Sequence, residues 1–242
     1  MKKVLMIAYA FPPFGGGEVM RAAKFAKYLP SFGWLPVILT VENQDCYVYD
    51  STLLQELDPR VRIFKARTLE PKLLIKMVKD FIRKKKARDP SDIEVASTKG
   101  IIYQVGRLKD ALAALFLIPS EEVLWNPAAF KAASRIIESE KIDIIFTTSP
   151  PSSGHLIGES LKLRYGLPWV ADFRDAWVGN VLYKPVYGLR ERIEGRMEAR
   201  VVKNADRVVS VTKPITEAFL RRYPGFTDKF VTITNGYDAE YY

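Results

Sequence analysis

Three consecutive glycines, Gly15, Gly16 and Gly17, separate an apolar run, Lys3 to Ala10, from a helix-period pattern that opens at Glu18. An apolar run this short reads as a strand buried on both faces. Pro12 and Pro13 stop it, because proline has no N–H for the next ladder position. Bare of Cβ atoms, the following backbone is free to turn at positive φ and to approach a ligand closely. The helix behind it presents unpaired N–H groups and the positive end of its dipole. Strand, bare loop and helix N-terminus together suit a phosphate group. A plain structural turn is the other reading, because the G-x-G-x-x-G fingerprint is absent and Glu18 places a negative charge at the helix start.

Asp172-Phe173-Arg174-Asp175-Ala176-Trp177 follows the apolar stretch Pro168 to Ala171, so two carboxylates and a guanidinium emerge together at a strand's carboxyl end. A carboxylate there accepts a proton from a hydroxyl or hydrogen-bonds a sugar, and arginine matches phosphate in a bidentate geometry. The bland alternative has Arg174 neutralising its neighbours and Trp177 filling the core. Thr147 to Ser153 is rich in hydroxyls, with Ser149 at the strand end and Ser152 as a helix cap. His155, the only histidine, sits one turn into that helix, where a structural role competes with catalysis. One histidine and one cysteine, Cys46, support no metal site, and no Asp-x-Asp pair, P-loop lysine or Gly-x-Ser-x-Gly elbow occurs.

Those loops need elements to hold them. The pattern alternates strand and helix: strands at 35–41, 61–66, 142–147, 167–171, 207–211 and 230–233, and helices at 17–32, 51–57, 100–117, 127–140, 152–165, 186–203 and 215–222. Strands separated by helices imply βαβ crossovers, hence a Rossmann-like, doubly wound α/β fold with a mainly parallel sheet covered on both faces. In such sheets ligands bind beyond the carboxyl ends of the strands, where the loops at 15–17, 147–153, 172–177 and 212–214 converge.

At 242 residues, 48% hydrophobic and 27% charged, the chain is a folded globular one with a sizeable core. Lone cysteine usage suits a reducing, cytoplasmic compartment, and no apolar run reaches the ~20 residues of a membrane span. The net charge is +9, and the segment 72–88 carries eight bases against one acid, Asp80. Lys72, Lys76, Lys79, Arg83, Lys84, Lys85 and Lys86 alternate there with an apolar stripe of Leu73, Met77 and Phe81 at helical spacing. Three readings stand: a solvated face, an anionic membrane surface, or nucleic acid, the last disfavoured because no stacking aromatics interleave with the lysines. Residues 88–99 read as a mobile loop.

In order along the chain, the glycine loop with Glu18 and Arg21, the Gly33-to-Thr40 strand entry, Ser149-Pro150-Pro151, the Asp172-to-Trp177 motif, Ala205-Asp206-Arg207-Val208-Val209 and Asn235-Gly236-Tyr237-Asp238 resemble the N-terminal domain of a family 4 glycosyltransferase of the GT-B type. Ile118-Pro119 and Trp125 resemble the subset associated with bacterial surface polysaccharide assembly. The resemblance implies a retaining, metal-independent, hexosyltransferase-type enzyme with no cofactor and a nucleotide-sugar donor. In it Gly15, Gly16 and Gly17 face the donor diphosphate, and Arg174 and Asp175 are catalytic. Arg21, Ser149, Asp172 and His155 line the cleft for a glycan or lipid-linked acceptor. Many relatives place a histidine after the strand at 167–171, where this chain offers Arg174. The resemblance further implies that the basic segment rests on the anionic inner face of the cell membrane. Residues 1–242 form one domain, 234–242 begin an interdomain linker, and the donor-binding domain is expected from sequence beyond this chain or from a partner chain, without which no turnover is expected. A non-catalytic Rossmann-like module that docks on a membrane or a partner is the rival class.

Overall fold

A computed structural model of the chain describes residues 1–42, 48–68, 117–180 and 188–237. Cys46, the basic segment 72–88 with its seven proposed membrane-facing residues, the loop 88–99 and the helix expected at 100–117 lie outside the described residues, the last but for its final residue.

Among the described residues seven strands form one sheet in which every neighbouring pair is parallel: β1 (Lys2–Ile7), β2 (Trp34–Val41), β3 (Arg62–Ala66), β4 (Ile144–Ser149), β5 (Trp169–Phe173), β6 (Arg207–Ser210) and β7 (Phe230–Thr232). Their order is β3-β2-β1-β4-β5-β6-β7. The chain therefore winds outward from β1 to one edge and from β4 to the other, which makes the β1/β4 boundary the switch point where an open α/β sheet has its crevice. The doubly wound fold expected from the strand–helix alternation is the fold found.

Alternate residues of β1 go to opposite faces. Val4 and Met6 join one core with Ala22, Ala26 and Ile38, while Leu5 and Ile7 join the other with Ala133, Ile145 and Ile157. Burial on both faces is why the strand is apolar throughout rather than alternating. The helices are α1 (Gly17–Tyr28), the single turn α2 (Thr52–Gln55), α3 (Asn126–Glu140), α4 (Ser153–Tyr165), α5 (Leu189–Asn204) and α6 (Lys213–Arg222). The helix expected at 17–32 stays α-helical only to Tyr28 and finishes as a 3-10 segment, Leu29–Phe32. Pro30 explains the change, since it has no N–H to give the carbonyl four residues back.

Two strands run further than the composition indicates. β4 continues through the hydroxyl residues to Ser149, and β5 continues through Asp172 to Phe173, with Thr148 opposite Asp172 in the ladder. A strand was expected to yield to a polar loop at both places. Instead Thr148 donates to Asp172, and Thr147 pairs with Trp169 and His155, so polarity does not end the ladder. Between them, α4 lies close against the sheet at Gly158, where a Cβ would sit 2.5 Å from the Trp169 ring and 2.7 Å from Thr147 Cγ2.

Candidate functional site

The crevice at the switch point is built around the bend between β1 and α1. Its first glycine is fixed by its neighbours: the Gly15 N–H donates to the Val48 carbonyl at 2.7 Å, and the Asp50 N–H donates to the Pro13 carbonyl at 2.8 Å. Phe14 pairs with Tyr49 in the same antiparallel bridge. Gly15 thus belongs to a two-stranded support under the bend. Gly16 and Gly17 differ from it, being exposed, and a Cβ built on either meets nothing within 4 Å. Gly16 has φ 101° and ψ 171°, a region closed to side-chain-bearing residues. Gly17 begins α1, and among the described residues no acceptor is found for the N–H groups of Gly16, Gly17 and Glu18. Free amides at the head of a twelve-residue helix carry roughly half a positive charge toward the crevice.

Arg174 holds this helix head in place. Its Nε donates to the Ser149 carbonyl (2.9 Å), Nη2 to the Pro150 carbonyl (2.9 Å) and Nη1 to the Glu18 carbonyl. One guanidinium thereby staples the β4 exit to the first turn of α1 across the switch point. Burial draws its pKa below the ordinary arginine value, while the nearby Asp172, Asp175 and Glu18 oppose the shift. Arg174, expected as a catalytic residue, has its guanidinium nitrogens engaged by three backbone carbonyls. Ser149 is likewise buried, its carbonyl taken by the Arg174 N–H and side chain.

Asp172 and Arg21 do not line the crevice as expected. Asp172 is fully buried and receives Arg21 Nε at 3.0 Å, Arg21 Nη2 at 2.8 Å and the Thr148 hydroxyl at 2.8 Å. Because β5 extends to Phe173, position 172 points into the protein rather than out of the strand end, and the carboxylate is consumed by its partners. Arg21 stacks over Phe25, with its guanidinium carbon 4.7 Å from the ring centroid, and sends Nη1 to Asn235 Oδ1 at 3.1 Å. Asp175, one residue past the staple, is half-buried and takes no hydrogen bond among the described residues. Of the carboxylates in this motif it is the one free to meet a ligand.

His155 is fully buried beneath the crevice, not at its surface. The Trp169 indole N–H donates to Thr147 Oγ1 (2.9 Å), and that hydroxyl lies 2.7 Å from His155 Nδ1. The imidazole packs on Phe173 at a centroid distance of 4.3 Å, and its Nε2 has no partner among the described residues. Burial, with a smaller contribution from the Arg174 charge, pushes the His155 pKa down to about 3. It is therefore neutral at pH 7 and ties α4 to β4 and β5.

Two supports escaped the sequence. Glu198 of α5 is fully buried and receives the Val178 N–H (2.9 Å), Arg222 Nη1 (2.5 Å) and the Tyr223 hydroxyl (2.8 Å), which fixes the loop carrying Asp175. Burial, followed by the Glu198 charge, raises the Tyr223 pKa. Thr148 is the second, and its position opposite Asp172 was readable only with the correct strand register. Among the described residues no group of three His, Cys, Asp or Glu side chains is placed to hold a metal, and no helix is long and apolar enough to cross a membrane.

Residues 91–241 match the family model described as Glycosyltransferase Family 4. No curated protein matches the chain in sequence. Among solved structures it is similar to sucrose-phosphate synthase from Thermosynechococcus elongatus, at 15% identity and a TM-score of 0.57 over 99% of this chain and 49% of that one. It is also similar to apo UGT2 of Phytolacca americana, at 12% identity and a TM-score of 0.55 over 99% of this chain and 53% of that one. The same UGT2 complexed with UDP-2fluoro-glucose and pterostilbene gives a TM-score of 0.54 at 12% identity, over 99% and 55% of the two chains. Identities this low speak for the fold alone. The chain spans about half the length of these structures.

Proposed function

This chain belongs to glycosyltransferase family 4, and on that footing we propose that it is the acceptor-side half of a retaining, metal-independent glycosyltransferase with a nucleotide-sugar donor. The observation that carries the reading is the pair Gly16–Gly17, exposed at the sheet's switch point with amides that find no acceptor among the described residues. Anions at such a helix head are held by backbone N–H groups and the dipole. In the reaction this bend takes the donor diphosphate, and its fixed amides stabilise the charge that grows on the leaving group. Arg174 contributes a neighbouring positive charge and keeps the amides aligned through the Glu18 carbonyl. Asp175 is the carboxylate offered to the acceptor hydroxyl, a glycan or lipid-linked one, and a role in bacterial cell-surface polysaccharide or glycolipid synthesis follows the motif set read from the sequence. The donor-binding domain comes from sequence after Asn235-Gly236-Tyr237-Asp238 or from a partner chain. The basic segment 72–86 fits a cytoplasmic enzyme held at the inner face of the membrane by anionic lipid.

Gly17→Asp tests the anion role without breaking the fold. The new carboxylate enters open space at the helix head, where it complements the dipole by about 0.3–1 kcal/mol but repels a phosphate. The expected result is unchanged or slightly higher thermal stability together with loss of uridine diphosphate binding by calorimetry in the complete enzyme. Undiminished binding overturns the assignment of the bend.

A further inference from the structure

Residues 233–237 leave β7 at the far side of the sheet from β1, yet they return to α1. The Ile233 N–H donates to the Ser210 carbonyl at 2.9 Å, the last backbone tie to the sheet among the described residues. Two residues on, the exposed Asn235 places its Oδ1 3.1 Å from Arg21 Nη1, a contact between positions 214 apart in sequence. Arg21 is not a surface partner of opportunity. Its side chain is 5% exposed and fixed by a bidentate pair to the fully buried Asp172, which Thr148 holds from β4. Arg21 also lies one helical turn after Gly17, so the residue that receives the outgoing segment belongs to the same rigid helix as the bare bend.

We propose that Arg21 is a positioning residue that couples the seating of the outgoing segment, through Asn235, to the alignment of the Gly16 and Gly17 amides. The two arginines then divide the work. Arg174 fixes the helix head to the β4 exit at the Glu18 carbonyl, and Arg21 fixes the next turn to the end of β5 and to the segment that follows β7. With Nε and Nη2 engaged by Asp172, the Nη1 edge is left to report whether Asn235 is in place. A change in the path of the outgoing segment pulls on α1 directly, without passing through the sheet. The value of this coupling for donor binding rests on the anion reading of the bend; its geometry does not.

The test is the amide spectrum of the 15N-labelled chain. Asn235 is exposed, so Asn235→Ala leaves the core intact, and Asn235→Asp retains an oxygen acceptor for Arg21. In Asn235→Ala the Gly16 and Gly17 resonances shift, and exchange at Val19 and Met20 accelerates by roughly fivefold, the size expected for losing one charge-assisted hydrogen bond shared with a local opening. In Asn235→Asp both stay near wild type, and exchange at Leu5 to Ile7 is the same in all three. Unmoved Gly16 and Gly17 resonances in Asn235→Ala, or identical behaviour of the alanine and aspartate variants, overturn the coupling. Titration with inorganic pyrophosphate keeps the two ideas apart: wild-type bend amides that ignore it refute the anion reading, while the Asn235 contrast alone decides the coupling.

Discussion

Lowering the pH from 7.5 to 5 should destabilise this protein through a single imidazole. The chain has one histidine, and histidine is the side chain whose ordinary pKa falls inside that interval. Buried against Phe173, His155 has its pKa pushed down from 6.5 to about 3. Between those two values the unfolded chain binds a proton that the folded chain refuses. Stability from this group is therefore complete above about pH 6.5 and falls as the pH drops toward 3. Each unit is worth about 1.4 kcal/mol, so the 1.5 units from 6.5 to 5 remove about 2 kcal/mol, or about 4–8 °C in Tm for a domain of this size. Glu140, held below the ordinary carboxylate range chiefly by its hydrogen bond from Lys3, titrates below the window. Urea unfolding at both pH values, on wild type and His155→Gln, isolates the effect. The variant starts lower because it disturbs the Thr147 contact, but its loss between pH 7.5 and 5 should be smaller by about 2 kcal/mol. Equal losses in the two proteins, or a His155 Cε1–H resonance that titrates near pH 6.5, refute the reasoning.

Asp172→Asn should cost about 3–5 kcal/mol in equilibrium unfolding, because it leaves Arg21 buried beside a neutral partner; a loss under 1 kcal/mol means that the pair opens to solvent. Gly158→Ala drives a methyl into the Trp169 ring, so about 1–3 kcal/mol of destabilisation is expected, with a shifted Trp169 indole N–H resonance as its local signature. Wild-type stability for that variant shows that α4 does not sit as close to β5 as described.

How much of this was legible beforehand depends on what kind of signal each part leaves. Burial on both faces leaves uninterrupted apolar runs, so β1 and β2 announce themselves and the parallel sheet follows from the helices between strands. The ends of β4 and β5 do not, because Thr148, Ser149 and Asp172 read as loop residues, while the hydrogen bonds among Thr148, Asp172 and Arg21 keep them in the ladder. Ending β5 two residues early places Asp172 in the loop, whereas in the ladder opposite Thr148 it is buried and paired with Arg21. The glycine bend was legible as a bare turn, but the sequence has no mark that separates Gly15, tied to Val48, from Gly16 and Gly17. Val48 lies more than thirty residues away, and a contact at that distance leaves no local pattern.

On the proposed anion reading, the same hydrogen bonds leave the bend to bind with backbone rather than side chains. Arg174 is committed through three N–H donors to carbonyls, and Arg21 is neutralised by Asp172. Neither guanidinium is free to swing onto a phosphate and off again. What they do is hold α1 at its first two turns, one from the β4 exit and one from the β5 end. An amide group set in a helix head cannot reorient on its own, so it offers charge stabilisation with no side-chain entropy to lose at the moment of binding. The free carboxylate of Asp175, on a loop that Glu198 fixes through the Val178 N–H, then sits beside a site whose positive character is built into the fold. Removing the Arg174 staple should consequently disturb the bend more than removing any single charge. Arg174→Lys retains the cation but reaches fewer of the three carbonyls. If the bend holds a diphosphate as proposed, this variant should lose inorganic pyrophosphate affinity by about tenfold, the equivalent of one charged hydrogen bond, and native affinity in it shows that charge alone, and not the staple, sets the amides.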